Sequence, residues 1–386
     1  MATAAKHQLT ERQQLALDAI LRKPTRGIPC NGLNVMEWRM IDRLAGLPEG
    51  SYEKSPRSTY QRMQERIGAC KIDQWIPENP LSMKRDGYDG ATRERTATTG
   101  LAKIVRDGMV IDSPEAAVEH LEKFAFPALE KAAAGFDEDA AVREMLAGEA
   151  ARQAEIGPGI LKAPYMELAR FPTFAYGAYG YENYFCAYAL YPEVMERHFR
   201  LQADVAIRRN RAGARAIREG GLPPYLRLDH DMADGRSTLV DIKSLDRIWF
   251  PEFARCIRPF VDAGVALVWH CDGNLMDMVP RLLDCGLQGF QGFQYEFGMD
   301  YEKICKMKCA DGRDLVIVGG VSVTQTLPHG TPEDVKKQLR WLVENGPRTG
   351  LFLAASSSIA PGVPWENLQA LVEGFRYYRE HGREGL

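Results

Sequence analysis

Short apolar runs rich in β-branched and aromatic residues recur along the chain, and the later ones are each followed by a longer amphipathic stretch. Eight runs stand out: GIPCNG (27–32), KIDQWI (71–76), TFAYGAY (173–179), YLRLDH (225–230), VALVWH (265–270), LQGFQGFQ (287–294), LVIVGGV (315–321) and LFLAAS (351–356). The last five recur at the spacing of a strand plus a helix, with helical candidates such as PEFARCIRPFVDAG and TPEDVKKQLRWLVENG between them. That alternation marks βα units and a parallel sheet. Eight parallel strands close most naturally into a barrel, so the pattern predicts an α/β protein of the (β/α)8 TIM-barrel class, one domain over 1–386.

Two stretches depart from the repeat. LTERQQLALDAILRK, with Thr10 as N-cap, reads as an N-terminal helix across the bottom of the barrel. The interval 77–170 reads as an insertion between the second and third strands. It opens with the turn-rich ENPLSMKRDGYDGATRERTATTG, expected as a polar hairpin, and continues into alanine- and glutamate-rich helices. Ser113, Pro114 and Glu115 supply a helix start there.

Charge narrows the function classes. With 49 basic and 52 acidic residues the net charge is -3, which gives no field for steering onto nucleic acid or an anionic membrane. No run approaches the roughly 18 apolar residues of a membrane span, and MATAAKHQLTERQQ lacks the apolar core of a signal peptide, so a cytoplasmic location is expected. Eight scattered cysteines in 386 residues point to reduced thiols. Cys305 and Cys309 stand four apart and read as two half-buried positions on a helix face.

In a barrel, chemistry collects where strands end. The strand ends here carry Asp229, His230 and Asp231; His270, Cys271, Asp272 and Asn274; Gln291, Gln294 and Glu296; and Ser356, Ser357 and Ser358. His270 and Asp272, two apart, leave the backbone on one face and can converge on a ligand or cation. Asp231 reads as an acid/base partner, with Asp229 or Asp231 facing the pocket. The serines resemble an anion-binding turn. In the aromatic run 171–193, Tyr179 and Glu182 are the pocket candidates. The motifs of P-loop nucleotide enzymes, zincins and serine hydrolases are missing.

The order LDHDMADGRSTLVD, PEFARCIRPFVDAGVALVWHCDGN, LLDCGLQGFQGFQ, LVIVGGVSVTQTLPHGTPEDV and LAASSSIAPGVPWENLQALVEG resembles the uroporphyrinogen decarboxylase superfamily over 208–382. The resemblance implies a (β/α)8 barrel and one of two activities: cofactor-free decarboxylation of a porphyrinogen, or methyl transfer between a small donor or thiol and a corrinoid protein, often with zinc. The decarboxylase branch carries an F-M-R-Q-A-G-R clamp near its N-terminus and a G-H-G-I turn after the last strand. Here GIPCNGLNVMEW and SSSI stand in those places. The methyltransferase branch carries H-x-C-G at the fifth strand and a later cysteine; His270 keeps the histidine, while Asp272 and a serine replace the thiols.

A hard carboxylate in place of thiolate weakens a zinc site. What the resemblance leaves of zinc is a site on His270 and Asp272, with Asp231 or Glu296 completing the shell. The sequence thus predicts a methyltransferase moving a methyl group from a methoxyaromatic or methylamine-type donor to a corrinoid protein, with a tilt to the aromatic ether from the tyrosines. In that reading His270, Asp272 and Asp231 are catalytic, while Asp229, Asn274, Gln291, Gln294, Glu296, Tyr179, Ser356 and Ser357 bind substrate. A homodimer is expected by analogy. The competing readings are a decarboxylase of porphyrin biosynthesis and a non-catalytic small-ligand binder.

Overall fold

The structure is a computed structural model that describes residues 9–79 and 104–386. Among them lie the strands β1 (Lys71–Ile72), β2 (Ile104–Arg106), β3 (Met109–Ile111), β4 (Leu161–Lys162), β5 (Tyr225–Asp229), β6 (Ala266–His270), β7 (Gly289–Gln291), β8 (Val316–Val321) and β9 (Leu351–Ala355). β5 to β9 pair in sequence order, all parallel, into one sheet. β1 and β4 form a second parallel pair. Parallel bridges Cys30↔Leu353 and Asn31↔Lys71 join β9 to β1 through the segment 30–31. The protein is therefore a mixed α/β fold on parallel sheets, with the order β4, β1, 30–31, β9, β8, β7, β6, β5. Among the described residues no ladder joins β4 to β5.

Period-two alternation decides which side chains face inward. In β5, Leu226 and Leu228 turn toward the helices, while Tyr225, Arg227 and Asp229 share the other face; Tyr225 and Arg227 both reach Asp73 just beyond β1. In β6, Trp269 packs outward on Phe171, Trp249 and Phe253, which leaves Val268 and His270 inward. The register pairs Asp229 with His270 and His270 with Gln291. Three polar side chains therefore stand in one row at the strand ends. The Lys71 ammonium lies 4.3 Å from the Tyr225 ring and 5.3 Å from the Phe352 ring. Those rings belong to β5 and β9, the two edges of the five-stranded sheet, so the sheet curls strongly around one cation.

The leading helix, Glu11–Ile20, starts at Thr10 with a capping box to Gln13. Gln13 donates to Ile160 O, just before β4, and Arg22 to Gln288, just before β7. The helix thus crosses the N-terminal ends of the strands. Pro114–His120 begins as read, with the Ser113 hydroxyl accepting from Ala116 N–H.

Three details differ from the sequence reading. The run 173–179 is not a strand: it ends in the helical turn Tyr176–Tyr179, and the parallel strand is β4, inside the interval expected as an insertion. Two residues ended by Ala163-Pro164 are too short to show a period, and the aromatics of 171–179 owe their frequency to packing instead. Of the expected polar hairpin, 80–100 lies outside the described residues; the hairpin of β2 and β3 follows it, with Asp107 and Gly108 both at positive φ (46° and 80°) in the turn. Finally, Cys305 lies on the helix Tyr301–Lys306, but Cys309 sits beyond its end, where its N–H donates to Arg313 O. No described helix is long and apolar enough to cross a membrane.

Candidate active site

A solvent-open cavity lies at the C-terminal ends of the parallel strands, reached by Asn31, Asp73, Gln74, Arg227, His270, Gln291 and Ser357. Arg227, 4% exposed, is its hub. It donates to Gln291 Oε1 at 2.9 Å and to Gln74 Oε1 at 3.1 Å. Asp73 and Asp229 stand 3.6 and 3.5 Å away, and the guanidinium covers the Tyr165 ring at 4.6 Å. Asp73 also accepts from Lys71 at 2.8 Å and from the Tyr225 hydroxyl at 3.0 Å. Burial alone would push the Asp73 carboxyl up, but Arg227 and Lys71 hold it far below the usual carboxylate range. Both cations are neutralised within this network.

His270 leaves β6 toward the cavity, and its ring nitrogens have no hydrogen-bond partner among the described residues. Nδ1 is buried against Gly292, where a Cβ would come within 2.7 Å of it; Gly292 has φ +84° as well. Nε2 is left as the nitrogen open to the cavity. Asp272 follows in the turn. Its Oδ2 accepts from the Ser357 hydroxyl at 3.1 Å, while Oδ1 is buried without a partner. Unpaired buried polar atoms are costly in a purely structural role, and this turn holds two of them. Cys271 is turned away: its thiol donates to Asp272 O and accepts from Met232 N–H, and burial pushes it up to about 12.

The strand-end acids divide. Asp229 faces inward, accepting from the Tyr165 hydroxyl at 2.8 Å. Asp231 is exposed, and its carboxylate accepts from Asp272 N–H at 3.4 Å. Desolvation and the neighbouring Asp272 raise its pKa. Between them His230 is held neutral by burial, down to about 4, and accepts from Phe174 N–H at 2.9 Å. Tyr176 stacks on its ring at 6.2 Å.

Other sequence candidates lie apart from the cavity or serve its scaffold. Gln294 accepts from Gly273 N–H at 2.6 Å, Asn274 accepts from Met276 N–H at 3.2 Å, and Ser356 accepts from Val323 N–H at 3.1 Å. Glu296 is exposed and bonded to Thr324. Tyr179 is buried beside the hairpin, its hydroxyl bonded to His120, which also pairs with the exposed Asp107, and Glu182 is exposed on the next helix. Sequence reasoning missed Asn31, Asp73, Gln74 and Arg227. The alternation in YLRLDH, which puts Arg227 on the face of Asp229, was the signal for one of them.

Zinc needs three or more protein ligands. Among the described residues no group of three His, Cys, Asp or Glu side chains is placed to hold a metal ion, and Glu296 is engaged by Thr324. His270 and Asp272 are two donors, so this set does not fit a zinc site.

Residues 231–378 match the Uroporphyrinogen decarboxylase (URO-D) family model. The resemblance read from the sequence is therefore shown, over a segment that includes Asp231, His270, Asp272, Gln291 and Ser357. No curated protein sequence matches. Among solved structures, a methyltransferase from Methanosarcina mazei is similar with a TM-score of 0.56 at 16% identity, covering 96% of this chain and 99% of that chain. At that identity the likeness speaks to the fold.

Proposed function

We propose that this URO-D-like protein is a methyltransferase that passes a methyl group from a small, oxygen-bearing donor to a corrinoid carried by a partner protein, and that its strands form one (β/α)8 barrel domain. The strand order, the curl around Lys71 and the likeness to the Methanosarcina methyltransferase support the barrel. One observation carries the activity. Arg227, the one Lys or Arg lining the cavity among the described residues, donates to Gln74 and Gln291 and is charge-paired with Asp73 and Asp229, its Nε alone lacking a partner, while His270 Nδ1 and Asp272 Oδ1 are buried without one. A pocket for a porphyrinogen bearing many carboxylates needs free cations. A pocket for a small donor needs groups that polarise the leaving atom and handle one proton.

In this reading the methyl carbon–oxygen bond breaks with its electron pair left on oxygen. His270 orients that oxygen with a ring N–H, Asp272 lies beside it in the same turn, and Asp231, whose proton is retained to higher pH than an ordinary carboxylate's, supplies the proton it takes up. The corrinoid, as second substrate, accepts the methyl group at its cobalt.

Mixing the purified protein with cob(I)alamin and methoxyaromatic or methylamine donors, followed by visible absorption, tests the proposal. Methylated cobalamin with an ether donor is expected. Failure with every donor, together with loss of carboxyl groups from uroporphyrinogen, overturns it.

A further inference from the structure

The network around Arg227 fixes more than charge. A guanidinium donates and never accepts, so any amide that faces it must present its oxygen. Gln291 and Gln74 both do so, at 2.9 and 3.1 Å, and both line the cavity. The rest of the circuit runs with the same sense. Gln74 Nε2 donates to the Tyr165 hydroxyl at 3.3 Å, and that hydroxyl donates to Asp229 at 2.8 Å. Gln74 therefore has one amide hydrogen committed and Gln291 has none: among the described residues no acceptor meets Gln291 Nε2, although the residue is 8% exposed. Gln291 also pairs in register with His270, so its amide hydrogens emerge beside the imidazole.

We propose that Arg227 is a positioning residue that sets the hydrogen-bond polarity of the cavity. It turns the Gln291 amide into a dedicated N–H donor, and the substrate is a neutral molecule that offers an oxygen acceptor to it, an ether or carbonyl compound, and not an ammonium donor. The inference rests on the methyl-donor reading only for the use made of that oxygen; the binding preference stands by itself. A site built to hydrogen-bond one partner discriminates against the opposite polarity because its own buried group is left unpaired.

Gln291→Glu tests this directly. The carboxylate keeps an oxygen on Arg227, so the hub retains its partner, but the atom facing the cavity changes from donor to acceptor. The probes are 1,2-dimethoxybenzene, which only accepts, and methylammonium, which only donates, titrated by ligand-observed NMR. Wild type should prefer the ether. In Gln291→Glu ether binding should weaken by about tenfold or more, and methylammonium binding should strengthen. Gln291→Met, which has neither group, should lose the preference without inverting it, and thermal melting confirms that both variants fold. Wild type that binds neither probe, or a preference unchanged in Gln291→Glu, overturns the inference. Inversion without any methylation of cob(I)alamin strikes the methyltransferase reading alone, and methylation with an unmoved preference strikes this one alone.

Discussion

Ser357 donates its hydroxyl proton to Asp272 across the strand ends, at 3.1 Å, and so ties the turn after β9 to the turn after β6. Asp272 occupies the place where the resemblance leads one to expect a thiol, and Ser357 lies in the SSSI turn after the last strand. A hydroxyl holding a carboxylate is a proton-handling arrangement, and it fixes one Asp272 oxygen while the other is buried without a partner.

Removing that tie should cost activity more than stability. Ser357→Ala is expected to lower kcat/KM for methyl transfer to cob(I)alamin by roughly tenfold, the worth of one hydrogen bond to a charged group. Asp272→Asn should lower it further. A Ser357→Ala enzyme at full rate shows that the Asp272 orientation is irrelevant to the reaction.

Asp231 is strained by its surroundings, since desolvation and Asp272 both favour its neutral form. Its raised pKa means that the ionised carboxylate destabilises the folded state at pH values above that pKa. Asp231→Asn should therefore melt slightly higher than wild type at neutral pH, the difference vanishing as the pH falls and Asp231 takes up its proton. Methyl transfer should drop in the same variant. A lower melting temperature at neutral pH contradicts the account.

Two histidines set the acid side of the stability profile. Burial lowers His198 and His230 from 6.5 to about 4. Each is neutral when folded and protonated when unfolded between those values, so stability present above about pH 6.5 is lost as the pH falls toward 4. Melting temperature measured across that window should decline, and less steeply in His230→Gln. An unchanged slope in the variant assigns the loss to other groups.

Asp73 is the group on which the buried cations depend. Asp73→Asn leaves Lys71, which is fully buried, without its carboxylate, and breaking a buried pair costs about 3 to 5 kcal/mol. Chemical denaturation should register the loss above about pH 4, where the depressed Asp73 carboxyl of wild type is fully ionised. A variant within 1 kcal/mol of wild type, by the same order-of-magnitude scale, removes the network from the list of stabilising features.

Elemental analysis addresses zinc. Two donors from His270 and Asp272 should leave the purified protein below one zinc per chain, with no change in Asp272→Ala. A stoichiometric metal that disappears in the variant shows that further ligands complete the shell.

Much of the scaffold was legible because buried parallel strands carry long apolar runs. β5, β6, β8 and β9 are found where YLRLDH, VALVWH, LVIVGGV and LFLAAS read as strands. β4 escaped because two residues carry no period, and the aromatic stretch near Phe174 attracted the assignment in its place. The candidate site was half legible. His270, Asp272, Gln291 and Ser357 stand together at or beside the cavity, for which strand-end position and polarity sufficed. Asp73 and Gln74 follow the two-residue β1 and Asn31 lies in an isolated bridge, all distant in sequence from the other strand ends, and Arg227 looked like one polar residue inside an apolar run. Only the register, which sets Arg227 opposite Val268 and across from Gln291, brings out its role.

The glycine behind His270 has a consequence for anyone who would redesign this pocket. The wall at Gly292 is bare backbone, and the imidazole lies so close to it that a Cβ would come within 2.7 Å of Nδ1. Residues around the cavity can be exchanged to suit new donors while the histidine keeps its aim. Position 292 is the exception: a single methyl group there would press on the ring of His270 and re-point the site.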